Sequence, residues 1–203
     1  GETAWELRYK SATDNDWTTE TVNDSPYTIE NLTANTAYTA GMRSDCGSGE
    51  YSDWTGFNVT TYCDFVSLPL HEDFESLSTG TTAAFLPCWF KGTNSSTAYP
   101  YVNTQSSAPY GTKTLYFNGS TTTYSYAATP RFEDEVLMDS LQITFNAYKG
   151  SASYLIEVGI MSDPTDYSTF ELVGSFSPTA TSTWQAAEIL TRGYNGNGRH
   201  VAF

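Results

Sequence analysis

Asp73 and Glu75 stand on either side of Phe74, directly after His71 and Glu72. The segment 68–75 reads as a strand, and residues two apart on a strand share a face. Two carboxylates on one face repel unless a cation or solvent separates them. Calcium takes about six to eight hard oxygen ligands, carboxylates among them. A solvated acidic strand is the simpler alternative. The pair does not suit glycoside hydrolysis, where carboxyl groups converge from separate elements across about 5–9.5 Å. His71 and His200 are the only side chains able to act as unperturbed bases near neutral pH. No nucleophile elbow, phosphate loop or zinc spacing accompanies them. The chemistry legible here is therefore binding, without a catalytic centre.

The aromatic residues divide into two groups. Tyr99, Tyr101, Tyr110, Tyr124 and Tyr126 lie among Ser, Thr, Asn and Pro in segments that read as loops. Such rings stack on sugars or anchor a protein partner, unless they pack on their own domain. Trp89, Phe117, Phe145 and Trp184 sit in strand-like contexts and are expected in the core.

The elements that must position these residues are strands nearly throughout. Trp5, Leu7 and Tyr9 alternate with Glu6, Arg8 and Lys10. Further strands are expected at 17–22, at 27–32 (from Tyr27, Ile29 and Leu32), at 38–43 and at 54–61, with a hairpin loop at 45–49. Beyond these, strands are expected at 68–75, 114–118, 140–148, 154–162, 170–175, 184–190 and 200–203. Loops fill 76–82 and the stretch 133–141, the best helical candidate. A boundary falls near 61–67, where loops lengthen. Aromatics make up 15% of the chain and charged residues only 16%, a balance that favours pleated, half-buried surfaces. The formal net charge of −14 argues against nucleic acid and against anionic membrane surfaces. It is compatible with bound calcium, with cationic partners or with plain solubility. No apolar run approaches the roughly 20 residues of a membrane span.

Residues 1–62 resemble the second half of a fibronectin type III domain. The resemblance rests on Trp5-Glu6-Leu7-Arg8-Tyr9-Lys10, on Leu32 followed by Tyr38, and on Ser52-Asp53-Trp54. It implies strands C to G of an immunoglobulin-like sandwich, with Tyr38 as the corner tyrosine that turns its hydroxyl onto the backbone upstream. It also implies that strands A and B lie before Gly1 or come from another chain. Otherwise Leu7, Tyr9, Ile29, Leu32 and Met42 would face water, at about 1.5–3 kcal/mol for each large side chain.

Residues 63–203 resemble the adhesin or MAM-like jelly rolls found beside such repeats in bacterial surface and secreted proteins. The matching pieces include 68–75, Leu86-Pro87-Cys88-Trp89, Gly111-Thr112-Lys113-Thr114-Leu115-Tyr116-Phe117-Asn118, and Val158-Gly159-Ile160-Met161-Ser162-Asp163-Pro164. The family's closing strand is expected beyond Phe203. The resemblance implies a structural calcium held by Asp73 and Glu75, with Asn118 as a third ligand. It also implies an extracellular or cell-surface location, and a protein, matrix or glycan ligand, with a structural spacer that has no ligand of its own as the alternative. Cys46 and Cys63 would lie at opposite ends of a strand of roughly 25 Å, too far for a bridge. Cys63 and Cys88 both open the second domain, so their pairing is favoured, with Cys46 free; three reduced thiols are the alternative.

Overall fold

The computed structural model describes residues 4–97, 99–120, 122–150 and 154–203. The chain is all-β: of the described residues, 39% lie in strands and 2% are helical. It divides into two compact units, Gly1–Asp64 and Phe65–Phe203. Among the described residues no helix is long and apolar enough to cross a membrane.

In the first unit, β1 (Trp5–Ser11) lies between β2 (Thr18–Val22) and β3 (Ala37–Gly47) in an antiparallel sheet. β5 (Thr55–Thr60) and β4 (Glu50–Tyr51) pair with different parts of β3. The register puts Leu7 opposite Met42, and Ala40 opposite both Tyr9 and Phe57. One sheet face therefore carries buried Leu7, Val22, Tyr38 and Ala40. The same face exposes Met42, Phe57 and Val59. Of the residues expected to face water, Met42 is thus exposed, whereas Leu7 is buried and Tyr9, Ile29 and Leu32 are half-buried. On the opposite face the Arg8 guanidinium sits 4.5 Å from the Trp17 ring centre and 4.0 Å from that of Trp54. Arg43 continues the stack between Trp54 and Tyr51 and is paired with Glu6 at 2.5 Å. Ring quadrupoles and a carboxylate thus replace part of the hydration these guanidinium groups lose. Tyr38 accepts the Thr33 backbone N–H on its hydroxyl at 3.0 Å, fixing the approach to β3.

Two expectations for this unit are corrected. The segment 27–32 is not a strand. Asn31 adopts a left-handed φ of 59°, which breaks the alternation between Ile29 and Leu32; asparagine tolerates this conformation better than most residues. The loop expected at 45–49 shrinks to Ser48-Gly49, because β3 runs on to Gly47, opposite Glu50. Both turn residues have positive φ, 56° and 87°, as a two-residue hairpin matched to strand twist requires.

In the second unit, five strands form a sheet in the order β12-β11-β14-β9-β6. They are β6 (Phe90–Thr93), β9 (Ser125–Ala128), β11 (Ile156–Met161), β12 (Phe170–Phe176) and β14 (His200–Ala202). Two antiparallel pairs accompany it, β10 (Gln142–Ala147) with β13 (Gln185–Leu190), and β7 (Tyr101–Thr104) with β8 (Lys113–Tyr116). Val158, Ile160 and Val201 from the large sheet meet Leu141 and Ile189, with Ile143 and Phe145 packed against them. This is a sandwich-like packing of two layers. A second cluster joins Tyr126, Ala128, Met161 and Ala202, flanked by Phe90, Tyr124, Tyr167 and Phe170.

The largest correction concerns 68–75, which is not a strand. Val66 alone makes an isolated bridge, to Phe132. Phe74 has a φ of 64°, and the Glu72 and Asp73 carboxylates before it serve as local turn acceptors instead, for the Phe74 and Glu75 N–H groups. β6, β7 and β9 were not expected as strands. The stretch 133–141 is a series of turns.

Candidate functional site

The β7–β8 hairpin places Tyr101 directly opposite Tyr116, and Asn103 opposite Thr114. Side chains alternate along a strand, so these four share one face. Val102 occupies the other face and is 2% exposed, which anchors the hairpin on its inner side. Tyr99 joins the outer face just before β7. Its ring centre lies 5.2 Å from that of Tyr101 and 5.5 Å from that of Tyr116, and Tyr101 and Tyr116 are 5.4 Å apart. Partial burial raises the Tyr101 hydroxyl pKa, and the neighbouring tyrosines add to the shift. Tyr116 stays 42% exposed and Tyr110, in the connecting loop, 74%.

Glu75 holds the loop end of this hairpin, at the start of β8. Its Oε1 accepts the backbone N–H groups of Thr112 at 2.8 Å and Lys113 at 2.6 Å, and its Oε2 accepts the Thr112 hydroxyl at 3.2 Å. Lys113 Nζ returns to the carbonyl oxygens of Glu75 at 2.8 Å and Leu77 at 2.6 Å. The Thr112 amide lowers the Glu75 pKa below its usual value; desolvation opposes the shift, and the Lys113 amide and Thr112 hydroxyl add to it. Gly111 lets the loop close on this carboxylate. It has a φ of 72°, and a Cβ there would lie 2.4 Å from Glu75 Oε1.

The expected calcium ligands are placed as follows. Asp73 is exposed, and its Oδ1 accepts the Glu75 N–H at 3.0 Å. Glu72 accepts the Phe74 N–H at 2.6 Å. Asn118 is exposed, and its carbonyl accepts the Ser125 hydroxyl at 2.8 Å. Among the described residues there is no group of three or more His, Cys, Asp or Glu side chains suited to a metal. Without a strand at 68–75, the shared-face argument for a cation between Asp73 and Glu75 no longer stands, and the oxygens of Glu75 are engaged by chain donors.

The five tyrosines expected at a ligand site do not come together. Tyr99 and Tyr101 meet Tyr116, expected only as part of the strand at 114–118. The signal was there, because the strand expected at 114–118 leaves Tyr116 on an alternating face. What was missing was the partner strand at Tyr101. Tyr124 stacks on Tyr167 at 3.9 Å, beside Tyr126. Tyr126 belongs to β9, is 4% exposed and donates its hydroxyl to Pro164 O at 3.2 Å. Its ring packs in the second core cluster with Ala128, Met161 and Ala202. Trp89, Phe117, Phe145 and Trp184 are half-buried. Phe145 packs on the core cluster, and Trp184 lies 5.2 Å from Tyr148.

His71 is exposed. His200 is buried, with Nδ1 2.8 Å from Thr129 O and its ring edge-on to Phe90 at 5.6 Å. Burial lowers its pKa. Cys63 and Cys88 are disulfide-bonded, and Cys46 is free and exposed. The first unit also carries an open polar cleft of about 640 Å³ lined by Tyr9, Glu20, Tyr27, Glu30 and Tyr38. There Glu20 accepts both the Tyr9 and the Tyr27 hydroxyls, and both bonds lower its pKa. No family model, curated protein or solved structure matches this chain.

Proposed function

We propose that this chain is a non-catalytic binding module of a surface or secreted protein, and that it holds a protein or matrix partner through the outer face of the β7–β8 hairpin. The observation that carries the reading is the cluster of Tyr99, Tyr101 and Tyr116, with ring centres 5.2–5.5 Å apart on a hairpin anchored from beneath. Clustered tyrosines supply large contact area at low conformational cost and are enriched where proteins meet. A second reading, carbohydrate binding within a polysaccharide-degrading system, is favoured by Asn103 and Thr114 on the same face. Their amide and hydroxyl suit the rim of a sugar ring stacked on tyrosine.

The resemblance to a fibronectin type III part followed by an adhesin-type jelly roll belongs to the same proposal. It is supported by the order β2-β1-β3-β5, which is the order strands C′, C, F and G would take, and by the Tyr38–Thr33 hydrogen bond, which a tyrosine corner would make. The oxidised Cys63 and Cys88 support an extracellular setting. A structural calcium near Asp73, Glu75 and Asn118 rests on the resemblance alone.

The test is capture of immobilised matrix proteins and neutral oligosaccharides by the wild type and by Tyr99→Ala and Tyr116→Ala. Both substitutions are expected to weaken retained binding by about tenfold or more, the cost of truncating an interface anchor. Tyr167→Ala, in the other ring cluster, serves as the comparison. Retention of matrix protein supports adhesion, and retention of oligosaccharide supports the second reading. Binding that is insensitive to Tyr99 and Tyr116 would refute the assigned surface.

A further inference from the structure

Three Asn-Gly pairs occur in the chain, at Asn118-Gly119, Asn195-Gly196 and Asn197-Gly198. Glycine lacks the Cβ that would shield its backbone nitrogen. That nitrogen can therefore attack the preceding asparagine's side-chain carbonyl carbon where the local chain is free to turn. Asparagine is accordingly among the thermolabile residues. The structure sets the three pairs in different surroundings.

Asn197-Gly198 is held. Gly198 is buried, and its N–H donates to the Tyr194 hydroxyl at 2.7 Å. A Cβ at Gly198 would lie 2.8 Å from the Ile160 side chain, so the backbone there is packed on the core. At Asn195-Gly196 the chain is exposed, yet the Tyr194 hydroxyl and the Glu171 carboxylate crowd Gly196, at 2.5 and 2.6 Å from the position a Cβ would take. Asn118-Gly119 is the least constrained. It lies in the connection between β8 and β9, outside any strand, with Asn118 exposed. Among the described residues, neither the Asn118 side-chain amide nor the Gly119 N–H has a hydrogen-bond partner. The Asn118 backbone carbonyl accepts the Ser125 hydroxyl.

We propose that Asn118 is a site of spontaneous deamidation in the folded protein. The Gly119 nitrogen bonds to Asn118 Cγ, the Cγ–Nδ2 bond breaks, and ammonia leaves with the proton lost from the Gly119 nitrogen. Water then opens the resulting succinimide at either carbonyl, giving an aspartyl or an isoaspartyl linkage. No oxidant or cofactor takes part. Each event adds one negative charge to a chain already at −14, and the isoaspartyl product inserts an extra backbone atom beside β8. The inference is independent of what the module binds.

The folded protein is held in mildly alkaline buffer at physiological temperature, with and without denaturing urea, and tandem mass spectrometry of peptides locates the loss of amide nitrogen. In the folded protein Asn118 is expected to convert at least about tenfold faster than Asn197, a ratio set by local protection. In urea the two rates should converge. Asn118→Gln, at an exposed position, should remove the fast product without unfolding the chain. Equal persistence of the Asn118 and Asn197 amides in the folded protein, with both converting in urea, would overturn the proposal.

Discussion

Glu75 is a fully charged, solvent-reachable carboxylate whose oxygens nevertheless accept two backbone amides and a hydroxyl from Thr112 and Lys113. Its role in the structure is to tie the turn around Phe74 to the start of β8. Its pKa is lowered on folding, so the unfolded chain binds the proton more readily. The stability it contributes is complete above the ordinary value of 4.5 and is lost as pH falls through the folded value. Glu75→Gln is expected to lower the melting temperature at neutral pH and to lose less stability than the wild type on acidification, as thermal melts across that range would show. An acid-side profile unchanged by the substitution would contradict the clasp. Gly111→Ala should weaken the same contact through the backbone, because a left-handed φ costs a residue with a Cβ about 1–2 kcal/mol, before its clash with Glu75 is counted.

At the scale of elements, Tyr38 links a loop to a strand. Tyr38→Phe keeps the buried ring and removes only the hydroxyl that accepts the Thr33 N–H. A loss of about 1 kcal/mol is expected, read as a lower urea midpoint at unchanged slope. An unaffected midpoint would mean that water replaces the hydroxyl without cost. Legibility in the sequence follows the same physical lines. β1, the first half of β3 and β10 show in the sequence because one of their faces is apolar and the other is not. β9 escaped because Tyr126, Ala127 and Ala128 are all buried, so a central strand covered on both faces has no alternation to show. β7 escaped because Pro100 and Asn103 read as turn residues, although they flank a paired Val102. The opposite error came at 68–75. There Leu68, Leu70, Glu72 and Phe74 mimic a pleat, while the left-handed φ of Phe74 depends on local carboxylate acceptors that no period encodes. The candidate site suffered from the missed β7, because without it Tyr101 has no register with Tyr116.

For the whole molecule, calcium and ligand binding are separable questions. If a structural calcium is present, it binds the folded state and not the unfolded one, so chelation must lower the melting temperature and added calcium must restore it. The effect should then vanish in Asp73→Ala. An identical melt with chelator and with excess calcium would remove the ion from the account, and the Glu75 clasp would stand without it.

The central claim is that the tyrosine face of the β7–β8 hairpin is where a partner binds. The most direct measurement is amide hydrogen exchange of the whole chain, with and without whichever matrix protein or oligosaccharide the wild type retains. Slowed exchange concentrated at 99–104 and 113–116, and absent in Tyr116→Ala, is the predicted result. Protection confined to the first unit, or to the Tyr124–Tyr167 cluster, would contradict it.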